Sequence, residues 1–283
     1  MTTITPTRSQ PASIERGTRL SSTGVLRSEW IKLRSLRSTV WSYVLVLVLS
    51  AGLALALSLT LVGDLGQGAP ASDASEAAQV ELFVQSSTFG VFLTQLVVAV
   101  LGVLVISGEY STGMVRSTFT AVPKRLPVLA AKAAVLFAAT FLVGVVAAIG
   151  GFAVATLVYA GSDLSASLVD PDVFLPMLGS ALYLALLAVF ALGVGAMVRS
   201  GAGGIGIVLA LILVVPTVLQ MIPADWAQSM APYLLSTAGT NMFASEEMSG
   251  TSTLTSWQDL LVVLGWVAAS GAGAAALLAK RDA

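Results

Sequence analysis

One stretch of this sequence has the residue types needed to recognise another protein: a polar and basic segment, residues 109–132, between two long uncharged runs. Within it, Ser111 and Thr112 are residue types that cap helix N-termini. Three apolar residues follow at i, i+4 and i+7, the spacing of one helical face: Val115, Phe119 and Val122. The segment predicts a short amphipathic helix whose apolar face could enter a protein groove, although a solvated loop with a basic end would show the same pattern.

Several kinds of chemistry are excluded by what the sequence lacks. It contains neither His nor Cys, which removes disulfides, thiolate or imidazole metal sites, His-ligated haem and histidine-base hydrolases. Each of the four lysines follows a residue other than glycine, so the Gly-Lys pair of a phosphate-binding P-loop is absent. We therefore expect no catalytic, cofactor-binding or metal site, and no enzymatic activity in this chain.

Composition places the chain in a membrane. Hydrophobic residues make up 56% and charged residues only 10%, against roughly 25% charged in soluble domains. The runs that flank the polar segment, residues 82–107 and 133–162, are uncharged and long enough to cross a bilayer. The polar segment must then lie outside the hydrocarbon. With a net charge of -1, no basic excess suggests binding to nucleic acid.

The predicted fold is an all-α membrane protein. Its six transmembrane helices are predicted at residues 40–62, 82–107, 128–160, 173–198, 203–221 and 260–279. Residues 1–24 are rich in Ser, Thr and Pro and are predicted to form a disordered cytoplasmic tail without a signal peptide. Residues 25–283 are predicted to form one transmembrane domain. A glycine-rich corner is predicted at residues 200–206, and Pro216, Gln220 and Pro223 are predicted to break the end of span five.

The distribution of basic residues predicts the orientation. If the N-terminus is cytoplasmic, all fourteen Lys and Arg fall in the N-terminal segment, the loop after span two, the corner after span four or the C-terminus. The loops on the other side hold acids and no base. We therefore expect a multi-pass protein of the plasma membrane with both termini in the cytoplasm.

Residues 25–37, VLRSEWIKLRSLR, predict an amphipathic helix in the membrane interface, with Trp30 and Leu33 on its apolar face and its bases near lipid phosphates. Glu29 falls inside the apolar stripe, where an unpaired carboxylate is costly, so it needs a cationic partner. The candidates are Lys32, one turn on, and a basic residue of the 109–132 segment or of another subunit. Lys132 is predicted to snorkel at the cytoplasmic end of span three.

Uncharged polar residues inside the spans have two interpretations. They either form hydrogen bonds between helices or line a path for a substrate, and the candidates for a path are Thr94, Gln95, Tyr183, Thr217 and Gln220. Small residues at packing distance, Gly144 with Ala148 and Gly265 with Gly273, could serve packing within one chain or in a dimer. After span five, Trp226, Met230, Tyr233 and Leu234 share a helical face, which predicts a short outer interfacial helix broken by Pro232.

The order of four features resembles the permease subunits of bacterial ABC-2 type ABC transporters, especially those of actinobacteria. The features are an RSEWIKLRSLRS interfacial helix, six spans, an EYSTGMVRSTFTAVPKR loop and a PADWAQSMAPYLLSTAG outer segment. The resemblance implies that residues 111–122 form a cytoplasmic coupling helix that docks on an ATP-binding subunit, and that residues 25–37 form the connecting helix. The implied coupling residues are Glu109, Ser111, Thr112, Met114, Val115, Arg116, Phe119 and Val122. The implied connecting-helix residues are Glu29, Trp30 and Leu33.

The same resemblance implies the partners and the activity. Such a permease pairs with an ABC ATP-binding subunit, which binds ATP and Mg²⁺, and with a second permease subunit, identical or related. Members of this family mainly export drugs, antibiotics, lipids or polysaccharides, and apolar walls fit a hydrophobic or amphiphilic substrate. Two alternatives remain open: an ion-independent channel or uniporter, and a non-transporting membrane scaffold or sensor subunit. Copurification of a P-loop ATPase would favour the permease over both.

Overall fold

The computed structural model describes residues 22–65, 75–111, 113, 125–162, 164–244 and 254–280. Within these ranges all regular structure is helical and no strand occurs. The α-helices are α1 (Ser22–Ser35), α2 (Arg37–Leu65), α3 (Glu76–Thr88), α4 (Val91–Ser111), α5 (Arg125–Tyr159), α6 (Pro171–Val198), α7 (Gly201–Leu209), α8 (Val215–Met221), α9 (Asp225–Met230), α10 (Leu235–Asn241) and α11 (Ser256–Lys280). A π-helical turn, Ala210–Val214, joins α7 to α8, and a 3-10 turn, Ala231–Tyr233, separates α9 from α10.

In the part of the chain that the structure describes, six segments are long and apolar enough to cross a membrane, which confirms the predicted all-α fold with six transmembrane helices. They are Arg37–Asp64, Glu76–Ser111, Leu126–Tyr159, Pro171–Val198, Gly201–Met221 and Ser256–Lys280. Successive spans alternate in direction. We call the end of the bundle that holds α1, Ser111 and the start of α5 the basic end, and the end that holds Glu76 and Asp172 the acidic end. Helix α1 starts at Ser22, and the rest of the predicted tail lies outside the described residues.

Helix α6 is the most buried of the six spans and packs against α4, α5 and α11. Glycines allow the backbones to approach closely. A Cβ added to Gly102 of α4 would lie 2.5 Å from the carbonyl oxygen of Ala188, and one added to Gly144 of α5 would lie 2.9 Å from the Cα of Ala181. Gly144 therefore serves packing within this chain. Of the pair on α11, Gly273 faces α6, whereas Gly265 has no atom within 4 Å of an added Cβ.

Span two is longer than predicted and kinked. The hydroxyl of Ser75 caps α3 by accepting a hydrogen bond from the Ala78 N–H at 3.3 Å, and the helix includes Glu76 and Glu81, which were predicted to lie in a loop. The kink falls at Phe89 and Gly90, between α3 and α4. Gly90 packs on α2 so tightly that an added Cβ would lie 2.6 Å from the Cα of Ser50. The kink is therefore fixed by contact with the first span.

Span five starts at Gly201, two residues earlier than predicted, and ends at Met221 as predicted. The corner after span four consists only of Arg199 and Ser200. Arg199 has a left-handed backbone, with φ 56, and Ser200 caps α7. The glycines that were predicted to form the corner belong to the first turns of α7. Pro216 does not break the span, which continues to Met221. A proline in an α-helix clashes with the carbonyl four residues earlier, and the π-helical turn directly before α8 opens the backbone there.

The segment after span five folds back onto the last span. The helix predicted around Trp226 is present as α9, and it ends in the 3-10 turn that contains Pro232. The indole N–H of Trp266 in α11 donates to the carbonyl oxygen of Tyr233 at 3.0 Å. Trp226 and Tyr233 are more than half exposed. Their position in a membrane interface stays a prediction.

Candidate functional site

Four charged side chains from three helices meet at the basic end of the bundle. Lys32 of α1 places its Nζ 2.7 Å from Glu29 Oε1 in the same helix and 3.3 Å from Glu109 Oε1 in the last turn of α4. Lys132, two turns into α5, places its Nζ 2.8 Å from Glu109 Oε1 and also contacts Glu29 Oε2. Each carboxylate therefore contacts both amines in a closed ring of four ion pairs. We call these four residues the charge cluster.

The charge cluster is largely sealed from water. The side chains of Glu29 and Lys132 are 3% and 4% exposed, that of Glu109 is 12% exposed and that of Lys32 is 29% exposed. The apolar side chains around them are Leu33, Leu36, Val105 and Val135. Buried charges are tolerated only when paired and hydrogen-bonded, and here two positive and two negative charges balance. Removal of one member would leave an uncompensated charge in an apolar surrounding.

The periodicity of α1 explains how it reaches the cluster. Glu29, Lys32 and Leu33 lie at i, i+3 and i+4, so they share one helical face, and Leu33 is buried against the bundle. Trp30, which was predicted to lie on the apolar face with Leu33, is 45% exposed. Burial alone would lower the pKa of Lys32, but its hydrogen bond to Glu29 and the charge of Glu109 raise that pKa above its ordinary value. The Lys32 amine therefore stays protonated at neutral pH.

The cluster resolves the question of the Glu29 partner. Both candidates within this chain are correct, because Glu29 pairs with Lys32 of its own helix and with Lys132 of the 109–132 segment. The prediction that Lys132 snorkels to the surface is wrong. Its amine points inward because two carboxylates, Glu29 and Glu109, meet it there.

The corner after span four reaches the same end of the bundle. The guanidinium of Arg199 lies 5.4 Å from the centre of the Tyr110 ring, a cation–π distance, and Tyr110 follows Glu109 directly. The left-handed backbone of Arg199 turns its side chain back toward α4. The basic end thus joins α1, α4, α5 and the α6–α7 corner.

Most of the predicted coupling segment lies outside the described residues, namely Thr112, Met114, Val115, Arg116, Phe119 and Val122. Ser111 is described, and it is the last residue of α4, where its hydroxyl donates to the carbonyl oxygen of Gly108 at 2.9 Å. Its prediction as the N-cap of a following helix is therefore wrong. Glu109 and Lys132 bracket the segment, so the charge cluster fixes the chain on both sides of it.

The five residues proposed for a substrate path do not form one group. The hydroxyl of Tyr183 donates to Gln95 Oε1 at 2.8 Å, both side chains are buried, and this bond joins α6 to α4. Thr94 is also buried, and its Oγ1 has no hydrogen-bond partner among the described residues. Thr217 and Gln220 are exposed on α8. The structure therefore supports a packing role for Gln95 and Tyr183, and of the five residues it joins only these two by a hydrogen bond.

Two buried charged residues were not recognised as such from the sequence. Lys132 belongs to the cluster, and Asp259, in the first turn of α11, is 1% exposed with no hydrogen-bond partner for Oδ1 in the described part of the chain. For Asp259, the sequence feature that could have indicated burial is its position directly before the uncharged run of span six. Among the residues that the structure describes, no group of three His, Cys, Asp or Glu is placed to hold a metal ion.

Comparison with protein-family models gives a match. The model described as ABC-2 family transporter protein covers residues 25–222, well over half of the chain. The chain belongs to the ABC-2 transporter family. No curated protein matches it.

Membership of the ABC-2 family and the six apolar helices together establish a multi-pass membrane transporter permease. The match begins at the residue where the amphipathic helix was predicted to start and includes the whole charge cluster. Permeases of the ABC-2 family are transport domains, generally non-catalytic, and the family implies pairing with an ABC ATPase subunit.

Proposed function

We propose that this ABC-2 permease is the membrane subunit of an ATP-driven exporter that moves a hydrophobic or amphiphilic substrate out of the cell. A separate subunit binds ATP and Mg²⁺, and this chain hydrolyses nothing. One observation supports the proposal most strongly: the charge cluster ties α1 to the residues on both sides of the predicted coupling segment. A loop that merely links two spans would not need a buried ion network at its base.

The basic end faces the cytoplasm in this proposal. The segments that reach the acidic end contain no Lys or Arg, since none occurs between Arg37 and Arg116, between Lys132 and Arg199 or between Arg199 and Lys280. The positive-inside rule then places α1, the coupling segment and both termini in the cytoplasm, with the protein in the plasma membrane. An ATP-binding subunit can reach only that side.

The charge cluster provides a route for force. In this proposal residues 111–122 serve as the coupling segment, with Phe119 as its apolar anchor in the ATP-binding subunit. A displacement of this segment moves Glu109 and Lys132 together, and through Glu29 it moves α1 with them. Helices α4 and α5 touch α6 backbone to backbone, so the motion enters the core of the bundle. A second permease subunit, identical or related, completes the pathway.

Recovery of the ATP-binding subunit tests the proposal. Full-length tagged permease is purified from membranes of its native host, and the copurifying ATPase is quantified. Truncation of a buried interface aromatic costs roughly 2 kcal/mol or more, which is about thirtyfold in affinity. Phe119→Ala should therefore lose most of the ATPase, and Phe119→Asp should lose nearly all of it.

Arg116→Glu is the control in the same segment. An exposed rim charge contributes little, so this variant should retain most of the ATPase. All variants should insert normally because the segment lies outside the spans. Normal ATPase recovery with Phe119→Asp would refute the coupling role of residues 111–122, and absence of any ATPase from the wild-type preparation would refute the proposed function.

A further inference from the structure

Helix α1 has a second charged face, on the side away from the charge cluster. Four residues lie at i, i+3, i+4 and i+7, the spacing of one helical face: Arg27, Trp30, Ile31 and Arg34. All four are exposed, with 45% of Trp30 and 57% of Ile31 accessible, whereas Glu29 and Leu33 of the same helix are buried. We call these four residues the outer stripe.

The two positive charges of the outer stripe are not neutralised within the described part of the chain. Neither Arg27 nor Arg34 forms an ion pair with a described residue. The carboxylates that the structure describes at the basic end are Glu29 and Glu109, and the charge cluster contains both. An anion from outside the chain can therefore approach both guanidiniums without displacing a partner.

The outer stripe lies at the level of the lipid head groups. The first span, Arg37–Asp64, has 28 residues, about 42 Å of helix, and a bilayer with its head groups is about 40–45 Å thick. Arg37 is therefore among the head groups, and α1 ends only two residues before it. The charge cluster holds α1 at this level, because it ties the helix to the last turn of α4 and to Lys132 near the start of α5.

The outer stripe combines the contacts that an anionic amphiphile needs. Arg27 and Arg34 are seven residues apart, about 10 Å along the helix, and the apolar pair Trp30 and Ile31 lies between them. Guanidinium groups bind phosphate through paired N–H donors. Tryptophan favours the boundary between head groups and hydrocarbon. A soluble anion would satisfy the arginines but leave both apolar side chains in water, whereas a phospholipid contacts both kinds of group.

We propose that the outer stripe binds an anionic phospholipid of the surrounding membrane. Arg27 and Arg34 hold its phosphate, and Trp30 and Ile31 contact the upper part of its acyl chains. Each base near an anionic membrane surface contributes about fivefold in affinity, so the two arginines together should favour an anionic over a zwitterionic lipid by at least roughly tenfold. The binding requires neither ATP nor the ATP-binding subunit.

Quenching of Trp30 fluorescence by lipids brominated in their acyl chains tests this surface. The full-length permease is placed in phosphatidylcholine nanodiscs that contain an increasing fraction of brominated phosphatidylglycerol or, in parallel, of brominated phosphatidylcholine. The difference between the wild type and Trp30→Phe isolates the signal of Trp30 from that of the other tryptophans. Phosphatidylglycerol should reach half of its full quenching at a lipid fraction about tenfold lower than phosphatidylcholine needs.

Variants of the two arginines separate charge from folding. The double variant Arg27→Gln with Arg34→Gln should bring the phosphatidylglycerol curve onto the phosphatidylcholine curve, at an unchanged unfolding temperature. Arg27→Lys with Arg34→Lys keeps both charges and should retain most of the preference. Lys280→Gln, at an exposed base of the same end on α11, is the matched control and should behave as the wild type does. In the wild type, about 1 M salt should reduce the preference severalfold, and this measurement needs no variant.

Three results would overturn the proposal. Absence of quenching by either lipid would mean that water or another protein surface covers the outer stripe. Equal quenching by the two lipids would mean apolar contact without recognition of the head group, and an undiminished preference in the folded glutamine variant would exclude the arginines. No ATP-binding subunit is present in these measurements. A negative result therefore leaves the recovery of the ATPase with the Phe119 variants unaffected, and failure of that recovery leaves the lipid site unaffected.

Discussion

Lys132→Met should destabilise this permease far more than loss of an exposed lysine would. The Lys132 amine is 4% exposed and contacts both carboxylates of the charge cluster. Without it, Glu29 and Glu109 share only Lys32, and the buried cluster has one uncompensated negative charge. Removal of one partner from a buried ion pair costs about 3–5 kcal/mol. With about 2–4 °C per kcal/mol for domains of 150–250 residues, the unfolding temperature should fall by on the order of 10 °C.

Thermal unfolding of the purified protein in detergent, followed by intrinsic tryptophan fluorescence, measures this change. Lys280→Met is the matched control, because Lys280 is exposed at the end of α11 and its loss should change the unfolding temperature by about 1 °C at most. The double variant Glu29→Gln with Lys132→Met removes one charge of each sign. Its cluster is neutral again, so its loss of unfolding free energy should be smaller than the sum of the two single losses by about 0.5–3 kcal/mol.

Two outcomes would refute this reasoning. One is an unfolding temperature of Lys132→Met equal to that of Lys280→Met, which would mean that the buried amine contributes no more than a solvated one. The other is strict additivity in the double variant, which would mean that Glu29 and Lys132 do not interact.

Two other predictions concern packing and topology. Gly239→Ala should lower the unfolding temperature because the added methyl would lie 2.0 Å from the buried Tyr183 ring. Gly206→Ala is the control and should not lower it, since an added methyl there has no atom within 4 Å. Equal effects of the two variants would contradict the observed packing. Because the chain has no native cysteine, Thr251→Cys should react with an impermeant maleimide on intact cells and Ser200→Cys only after permeabilisation. Reaction of Ser200→Cys in sealed cells would contradict the proposed orientation.

The sequence predicts the number of spans well, and for a simple reason. An uncharged, apolar run of about 20 residues or more is long enough to cross a bilayer as a helix, and all six such runs are helical in the structure. The need of Glu29 for a partner was also visible, because it interrupts an apolar stripe. These conclusions depend on local patterns that a single helix contains.

Features that depend on contacts between distant segments were not predictable in the same way. Lys132 lies 103 residues from Glu29, and only the packing of α1 on α5 shows that they meet. The kink at Gly90 likewise depends on its contact with Ser50 of α2. Pro216 was misread because the π-helical turn that accommodates it has no clear signature in the sequence.

The most direct test of ATP-driven coupling uses Gln85→Cys as a reporter at the acidic end. The permease is purified with its copurifying ATP-binding subunit in nanodiscs, and the rate of maleimide reaction is measured without nucleotide and with ATP and vanadate. ATP bound at the basic end should change the rate severalfold, and Phe119→Asp should abolish the change. Identical rates in both states, while the partner subunit still hydrolyses ATP, would contradict the account.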